Sequence, residues 1–223
     1  IAPGYGSDII PAGGSIVLDN TMNSNPRNPV SIFYDGKDKV VSSGQIAVTQ
    51  VSGEPTRMPV QAIKTNVTSV YDFGQSFTIP LGQDFNSRDF RYTALFIRAS
   101  QNNTTIQIDK DNNNTFEPTT TLNEGESYFL NGGVLTGATV TSDKPIGVEL
   151  NAGGVDQFSI RNAPIFPATW YGNTYYTPVP TSDNAGDNPK DSSVVMLYNS
   201  LNRSLDINWY SGAPANGVIA VPA

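Results

Sequence analysis

The sequence contains no cysteine and no histidine among its 223 residues. Without cysteine there are no disulfides, thiol nucleophiles or thiolate metal sites, and without histidine there is no imidazole base or ligand. Any chemistry would therefore depend on Asp, Glu, Lys and Tyr, and no spacing of the acidic residues marks a catalytic pair. We predict that the protein is not an enzyme and acts by binding.

Charge is also scarce, since only 15% of the residues are Asp, Glu, Lys or Arg. The net charge of -7 would repel nucleic-acid phosphates, so we expect no nucleic-acid partner and regard cations as the favoured ionic partners. The sequence also lacks a run of about 18 apolar residues, so we predict no membrane span.

Apolar and polar residues alternate over several short runs that are rich in Val, Ile, Thr and Tyr, and this period of two is typical of β-strands. Gly and Asn residues separate the runs, and 20 glycines and 16 prolines argue against long helices. We therefore predict an all-β fold, with irregular connections at 57–64 and 161–170. The predicted strands lie at 93–100, 104–109, 138–150, 193–199, 205–210 and 217–223.

An internal repeat of roughly 100 residues organises these strands. For example, "VVSSGQIAV" (40–48) matches "VTSDKPIGV" (140–148), and "YDFGQSFTIPLG" (71–82) matches "WYGNTYYTPVP" (170–180). The repeat predicts two Ig-like β-sandwich modules, one of them discontinuous.

The predicted central module, with the acidic loop, covers residues 84–153. The second sandwich combines residues 1–60 and 190–223, and the connecting segments are 61–83 and 154–189. Each half of the second sandwich would leave unpaired strand edges in water, so we expect the halves to meet edge to edge. They can meet within one chain or between chains, which would form a filament. The remaining alternative is that the chain is part of a longer array.

The order "TALFIRAS", "QNNTTIQID", "EPTTTLNEGESYFL" and "GATVTSDKPIGVEL", followed by "RNAPIFPATWYGNTYYTPVP", also carries a resemblance. It resembles the β-rich repeat modules of bacterial cell-surface proteins related to the IgGFc-binding-type domain. This resemblance implies an extracellular or cell-surface location and a structural or adhesive role.

The short stretch "DKDNNNTFE", residues 109–117, is the candidate metal site. Oxygen-bearing side chains occupy positions 1, 3, 5, 7 and 9, as in a Ca²⁺-binding loop of the EF-hand type, where position 7 offers its backbone carbonyl. The predicted ligands are Asp109, Asp111, Asn113, Thr115 and Glu117. The twelfth position holds Thr120 in place of a bidentate Glu, so Glu117, water or a neighbouring loop would complete the set. The open alternative is a solvated hairpin turn of similar composition.

Other clusters are less specific. Asp84 and Asp89, like Asp183, Asp187 and Asp191, indicate solvated loops first and a second cation site only as an alternative. The aromatic residues Trp170, Tyr171, Tyr175 and Tyr176 predict either core packing or a platform for sugar rings. Glycosidase chemistry would need a pair of facing carboxylates, such as Asp72 with Asp84, and the sequence does not show that these two face each other.

These observations favour a secreted structural or adhesive protein that uses Ca²⁺ to stabilise one loop. Its expected partners are copies of itself or neighbouring repeat modules, together with surface glycans. The alternative is a carbohydrate-binding module of an extracellular protein, which an exposed strip of aromatic side chains would indicate.

Overall fold

The computed structural model describes residues 9–15, 40–52, 63–67, 69–154, 161–176, 195–210 and 216–221. Over these residues the chain forms eleven strands and three short 3-10 helices. The 3-10 helices are Val70–Asp72, Arg88–Phe90 and Ala168–Trp170. The strands are β1 (Thr49–Ser52), β2 (Ile63–Asn66), β3 (Gly74–Thr78), β4 (Tyr92–Ala99), β5 (Thr104–Asp109), β6 (Thr120–Leu122), β7 (Ser127–Leu130), β8 (Thr139–Gly153), β9 (Arg161–Ile165), β10 (Leu205–Tyr210) and β11 (Asn216–Val221). Together they confirm the predicted all-β class.

The central sheet is built on β8, which has 15 residues. Its first part pairs with β5 and β3, and its second part pairs with β4 and β9, all antiparallel. β6 extends the first half beyond β5, and β7 extends the second half beyond β4. β6 and β7 also lie beside each other, so the sheet is nearly closed.

The two halves of the sheet enclose one hydrophobic core. Alternate residues of β4 and β8 enter it, among them Ile97, Ile146 and Val148, while Ile106 enters from β5. This placement follows from the strand period of two, which turns every second side chain toward the same face. Burial of apolar surface stabilises the folded state by about 25 cal/mol per Å², and it is the main contribution to the stability of the sheet.

The sheet includes strands on both sides of the predicted central module, 84–153. β3 lies in the predicted connection 61–83 and β9 in the predicted connection 154–189, and both pair with β8. Strands from both sides of residues 84–153 therefore belong to one sheet. The predicted domain bounds and the two Ig-like modules stay predictions.

Two segments that we expected to be irregular contain strands. The expectation is wrong for the first half of 161–170, which forms β9, with Pro164 opposite Glu149. It is also wrong at the end of 57–64, where β2 begins at Ile63. Proline lacks an N–H group, but β9 has a hydrogen-bonded neighbour on one side only, so proline can face the unpaired side without breaking a ladder. In contrast, residues 195–199, the described part of a predicted strand, form none.

The two ends of the chain pair locally over the described residues. β1 pairs with β2, and β10 pairs with β11, as two separate two-stranded ladders. Edge-to-edge pairing of the two ends, within one chain or between chains, stays a prediction. Pairing of strands that are close in sequence costs little loop-closure entropy.

Candidate functional site

The acidic loop begins at Asp109, the last residue of β5, whose side chain is only 4% exposed. Its Oδ1 accepts a hydrogen bond from the backbone N–H of Asn113 at 3.0 Å, and its Oδ2 accepts one from Asn114 at 2.8 Å. A carboxylate that accepts two backbone N–H groups fixes the chain that follows it. The Asp109 carboxylate therefore stabilises the turn conformation of the loop backbone.

The backbone turns sharply at Asn112 and Asn114, which have φ angles of 55° and 65°. Asparagine enters this left-handed region more readily than most residues. Asn114 is the sixth position of the loop, where an EF-hand loop has its turn-forming glycine. The Asn113 side chain accepts a hydrogen bond from the Thr115 N–H at 2.7 Å. The loop thus has the turn that the predicted Ca²⁺ ligands need.

Glu117 is engaged with Lys110. Its Oε2 accepts a hydrogen bond from the Lys110 backbone N–H at 3.0 Å, and its Oε1 lies 3.3 Å from the Lys110 ammonium group. Thr120, the twelfth position, begins β6 and pairs with Ile106. The Glu117 carboxylate is therefore paired with Lys110, and Thr120 has no carboxylate to offer at the twelfth position.

Asp111 differs from its neighbours. Its Oδ1 is buried, and among the described residues no donor lies within hydrogen-bonding distance of it. A buried oxygen without a donor is destabilising unless water or a cation approaches it. The described residues nevertheless contain no group of three acidic side chains that is arranged to hold a metal ion. Asp109 therefore holds the loop backbone and Glu117 is paired with Lys110, and the five predicted Ca²⁺ ligands stay a prediction.

Gly137 lies next to both the acidic loop and Tyr198. A Cβ atom added to Gly137 would lie 2.6 Å from Asn112 Nδ2 and 2.8 Å from the Tyr198 hydroxyl, and Gly137 has a φ of 85°. Only glycine permits this close approach.

A second feature is the aromatic surface, which consists of five side chains. Phe166 and Trp170 are 47% and 50% exposed, and Tyr176 is 96% exposed. The rings of Phe166 and Trp170 are stacked, with centroids 5.5 Å apart and an interplanar angle of 13°. Tyr171 and Tyr175 are the other two members, and both are exposed.

The aromatic surface is attached to the sheet by specific contacts. The Tyr171 hydroxyl donates a hydrogen bond to the Thr78 carbonyl of β3 at 3.0 Å, and the Gly172 N–H donates one to the Tyr175 hydroxyl at 2.6 Å. Pro167 is buried and lies so close to Gly74 that a Cβ there would be 2.5 Å from the proline ring. These contacts anchor the segment that carries the exposed rings.

Two tyrosines have raised pKa values. Burial raises the pKa of Tyr171, and the neighbouring Tyr175 and Tyr198 raise it further. Burial also raises the pKa of Tyr198. The phenol groups of both residues are therefore neutral at physiological pH.

The family model described as IgGFc binding protein matches residues 57–217, which include the sheet, the acidic loop and the aromatic surface. The chain belongs to this family. Membership in the IgGFc binding protein family indicates an extracellular binding protein. The comparisons with curated proteins and with solved structures found no significant match. Within the described ranges of this family member, no helix has the length and apolar character that a bilayer crossing requires.

Sequence reasoning missed one polar cluster of this IgGFc binding family member. Glu149 on β8 is 5% exposed, forms an ion pair with Arg98 of β4 and accepts a hydrogen bond from Asn162 Nδ2 of β9 at 2.9 Å. Buried charges need such partners because desolvation is costly. No signal in the sequence marks these residues, since polar residues at alternate strand positions usually face water.

The other acidic residues of this family member have structural roles or lie elsewhere. Asp84 accepts a hydrogen bond from the Thr136 N–H at 2.7 Å, and Asp89 lies in the 3-10 helix Arg88–Phe90. Asp183, Asp187 and Asp191 lie outside the described residues.

Proposed function

We propose that the chain is a secreted, non-enzymatic adhesive protein of a cell surface or extracellular filament, and that the aromatic surface is where it binds. The observation that carries this proposal is a set of exposed rings on a segment that is anchored to the sheet, because Tyr171 is hydrogen-bonded to Thr78 and Pro167 is packed on Gly74. Tyr and Trp are enriched at protein interfaces, and pre-organised side chains lose little entropy on binding.

Two protein partners follow from this proposal. Copies of this chain or neighbouring repeat modules would assemble it into a surface structure. The family description names the Fc part of IgG, so an Fc fragment is the second partner to test.

The experiment immobilises the full chain on a biosensor and presents the same chain or an Fc fragment in solution. We expect saturable binding of at least one of them, and we expect Trp170→Ala to weaken it at least tenfold. Phe116→Ala is the matched control, because Phe116 is 51% exposed in the acidic loop, outside the aromatic surface. Binding that is unchanged in Trp170→Ala would reject the aromatic surface as the site.

We also propose that the acidic loop binds one Ca²⁺ ion, with Asp109, Asp111 and Asn113 as side-chain ligands and the Thr115 carbonyl as a fourth. The positive φ of Asn114 and the buried Oδ1 of Asp111 support this site. Glu117 would contribute only if it left Lys110. A bound ion would supply positive charge that stiffens the loop, so its role would be structural.

A carbohydrate-binding module is the second candidate function. The exposure of the aromatic surface supports it, because aromatic residues that served only as core would be buried. Titration with glycans separates this candidate from binding of protein alone.

The absence of enzymatic turnover is part of the proposal. It is supported by the lack of His and Cys in the sequence and by the burial of Glu149 in an ion pair with Arg98. A polysaccharide digestion assay tests it: product formation that depended on one Asp or Glu, for example Asp72 or Asp84, would overturn it.

A further inference from the structure

The aromatic surface has an unusual chemical composition. The segment 166–176 reads "FPATWYGNTYY" and contains no charged residue and no Leu, Ile, Val or Met. Besides its five aromatic residues it has only Pro, Ala, Gly, Thr and Asn. Its exposed side chains are therefore rings, hydroxyls and an amide.

The stacked rings have faces that remain open to solvent. Phe166 and Trp170 lie nearly parallel, and each is about half exposed, as expected when a ring contacts its neighbour with one face and has the other in water. The face of an aromatic ring carries a negative partial charge, which attracts weakly positive C–H groups. A pyranose ring presents such C–H groups on its flat face and hydroxyls around its rim.

Exposed polar residues alternate with the rings along the segment. Thr169, Asn173 and Thr174 are exposed, and Tyr176 is 96% exposed. Small-molecule sites commonly combine aromatic surface with a few polar groups that fix orientation. These neutral donors and acceptors match sugar hydroxyls.

A charged ligand is disfavoured. The segment offers no cation to an anionic sugar, and the net charge of -7 repels it.

From these observations we infer that the aromatic surface binds a neutral glycan, with a sugar ring stacked on the Phe166–Trp170 pair. This inference rests on the proposed binding function and names the ligand class of the same surface. The Tyr171–Thr78 hydrogen bond holds the segment to β3 and the Gly172–Tyr175 hydrogen bond closes a turn within it, so we expect binding without rearrangement of the backbone.

The test is isothermal titration calorimetry of the full chain with the neutral oligosaccharides cellohexaose, laminarihexaose and chitohexaose. A hyaluronan hexasaccharide is the anionic counterpart. We expect at least one neutral glycan to bind, the anionic one to bind at least tenfold more weakly, and Trp170→Ala to weaken binding at least tenfold. Phe116→Ala should bind as the wild type does.

Two controls keep the result interpretable. Circular dichroism melting shows whether Trp170→Ala is folded, and Tyr176→Ala, at an almost fully exposed position, provides a second variant that leaves the packing intact. Absence of binding to all three neutral glycans, stronger binding of the anionic one, or binding that neither variant weakens would overturn the inference. If a protein partner still needed Trp170 in that case, the adhesive function would stand and only the glycan assignment would fail.

Discussion

Removal of the Asp109 carboxylate should destabilise the protein measurably in the absence of calcium. In Asp109→Ala the N–H groups of Asn113 and Asn114 lose an acceptor that the wild type holds at 3.0 Å and 2.8 Å. Hydrogen bonds to a charged group contribute about 1.5–3 kcal/mol each, but both loop residues can turn to water, so we expect a total loss of about 2–4 kcal/mol. Asp109→Asn retains one acceptor oxygen and should lose about half as much.

The measurement is urea unfolding followed by circular dichroism, in excess Ca²⁺ and in chelator. If the loop binds Ca²⁺, the wild type should gain about 2.7 kcal/mol at a hundredfold excess over the dissociation constant, and Asp109→Ala should gain nothing. Asp143→Ala is the matched control, because Asp143 also accepts a backbone N–H, from Thr105 at 2.7 Å, but lies in β8, outside the acidic loop. A loss below about 0.5 kcal/mol for Asp109→Ala in chelator would refute the role of this carboxylate. Equal stability of the wild type in both buffers would refute the calcium site.

Three further predictions follow from burial and backbone geometry. Ile97→Ala should lose about 2–5 kcal/mol in chemical unfolding because Ile97 is fully buried in the core, whereas the exposed Val195→Ala should lose less than about 0.5 kcal/mol. Gly137→Ala should lose about 1–3 kcal/mol in thermal melts because φ is 85°, whereas Gly44→Ala, which has open space around it, should be nearly neutral. Burial raises the pKa of Tyr171, so the unfolded chain ionises first as the pH rises through about 10. Folding stability should therefore fall above about pH 10, and Tyr171→Phe should show a smaller fall in urea unfolding at about pH 11.

The fold of the central sheet was largely predictable from local alternation. β4, β5 and β8 carry apolar residues at every second position, and the structure places strands at nearly the predicted bounds. β9 was not predictable in this way, because a proline such as Pro164 usually indicates a connection. It is tolerated in a strand at the edge of a sheet, and the sequence does not show that β9 is such a strand. The pairing of the chain ends was also not predictable, since a strand pattern does not identify its partner.

The candidate site was predictable only in part. The spacing of Asp109, Asp111 and Asn113 and the turn at Asn114 agree with the loop geometry. The pairing of Glu117 with Lys110 depends on how the loop closes, which the sequence does not specify. The sequence also did not specify whether Trp170 is exposed, because an alternating aromatic run is compatible with both a core and a surface position.

Adhesion of beads that carry the full chain tests the central claim most directly. Beads with the wild type, with Trp170→Ala plus Tyr176→Ala, or with Phe116→Ala would be placed on surfaces that bear the chain itself, an Fc fragment or a neutral glycan, and detached under increasing flow. We predict that wild-type and Phe116→Ala beads resist detachment from at least one surface and that the double variant detaches readily. Equal detachment of all three bead types would contradict the proposal that the aromatic surface is an adhesive site.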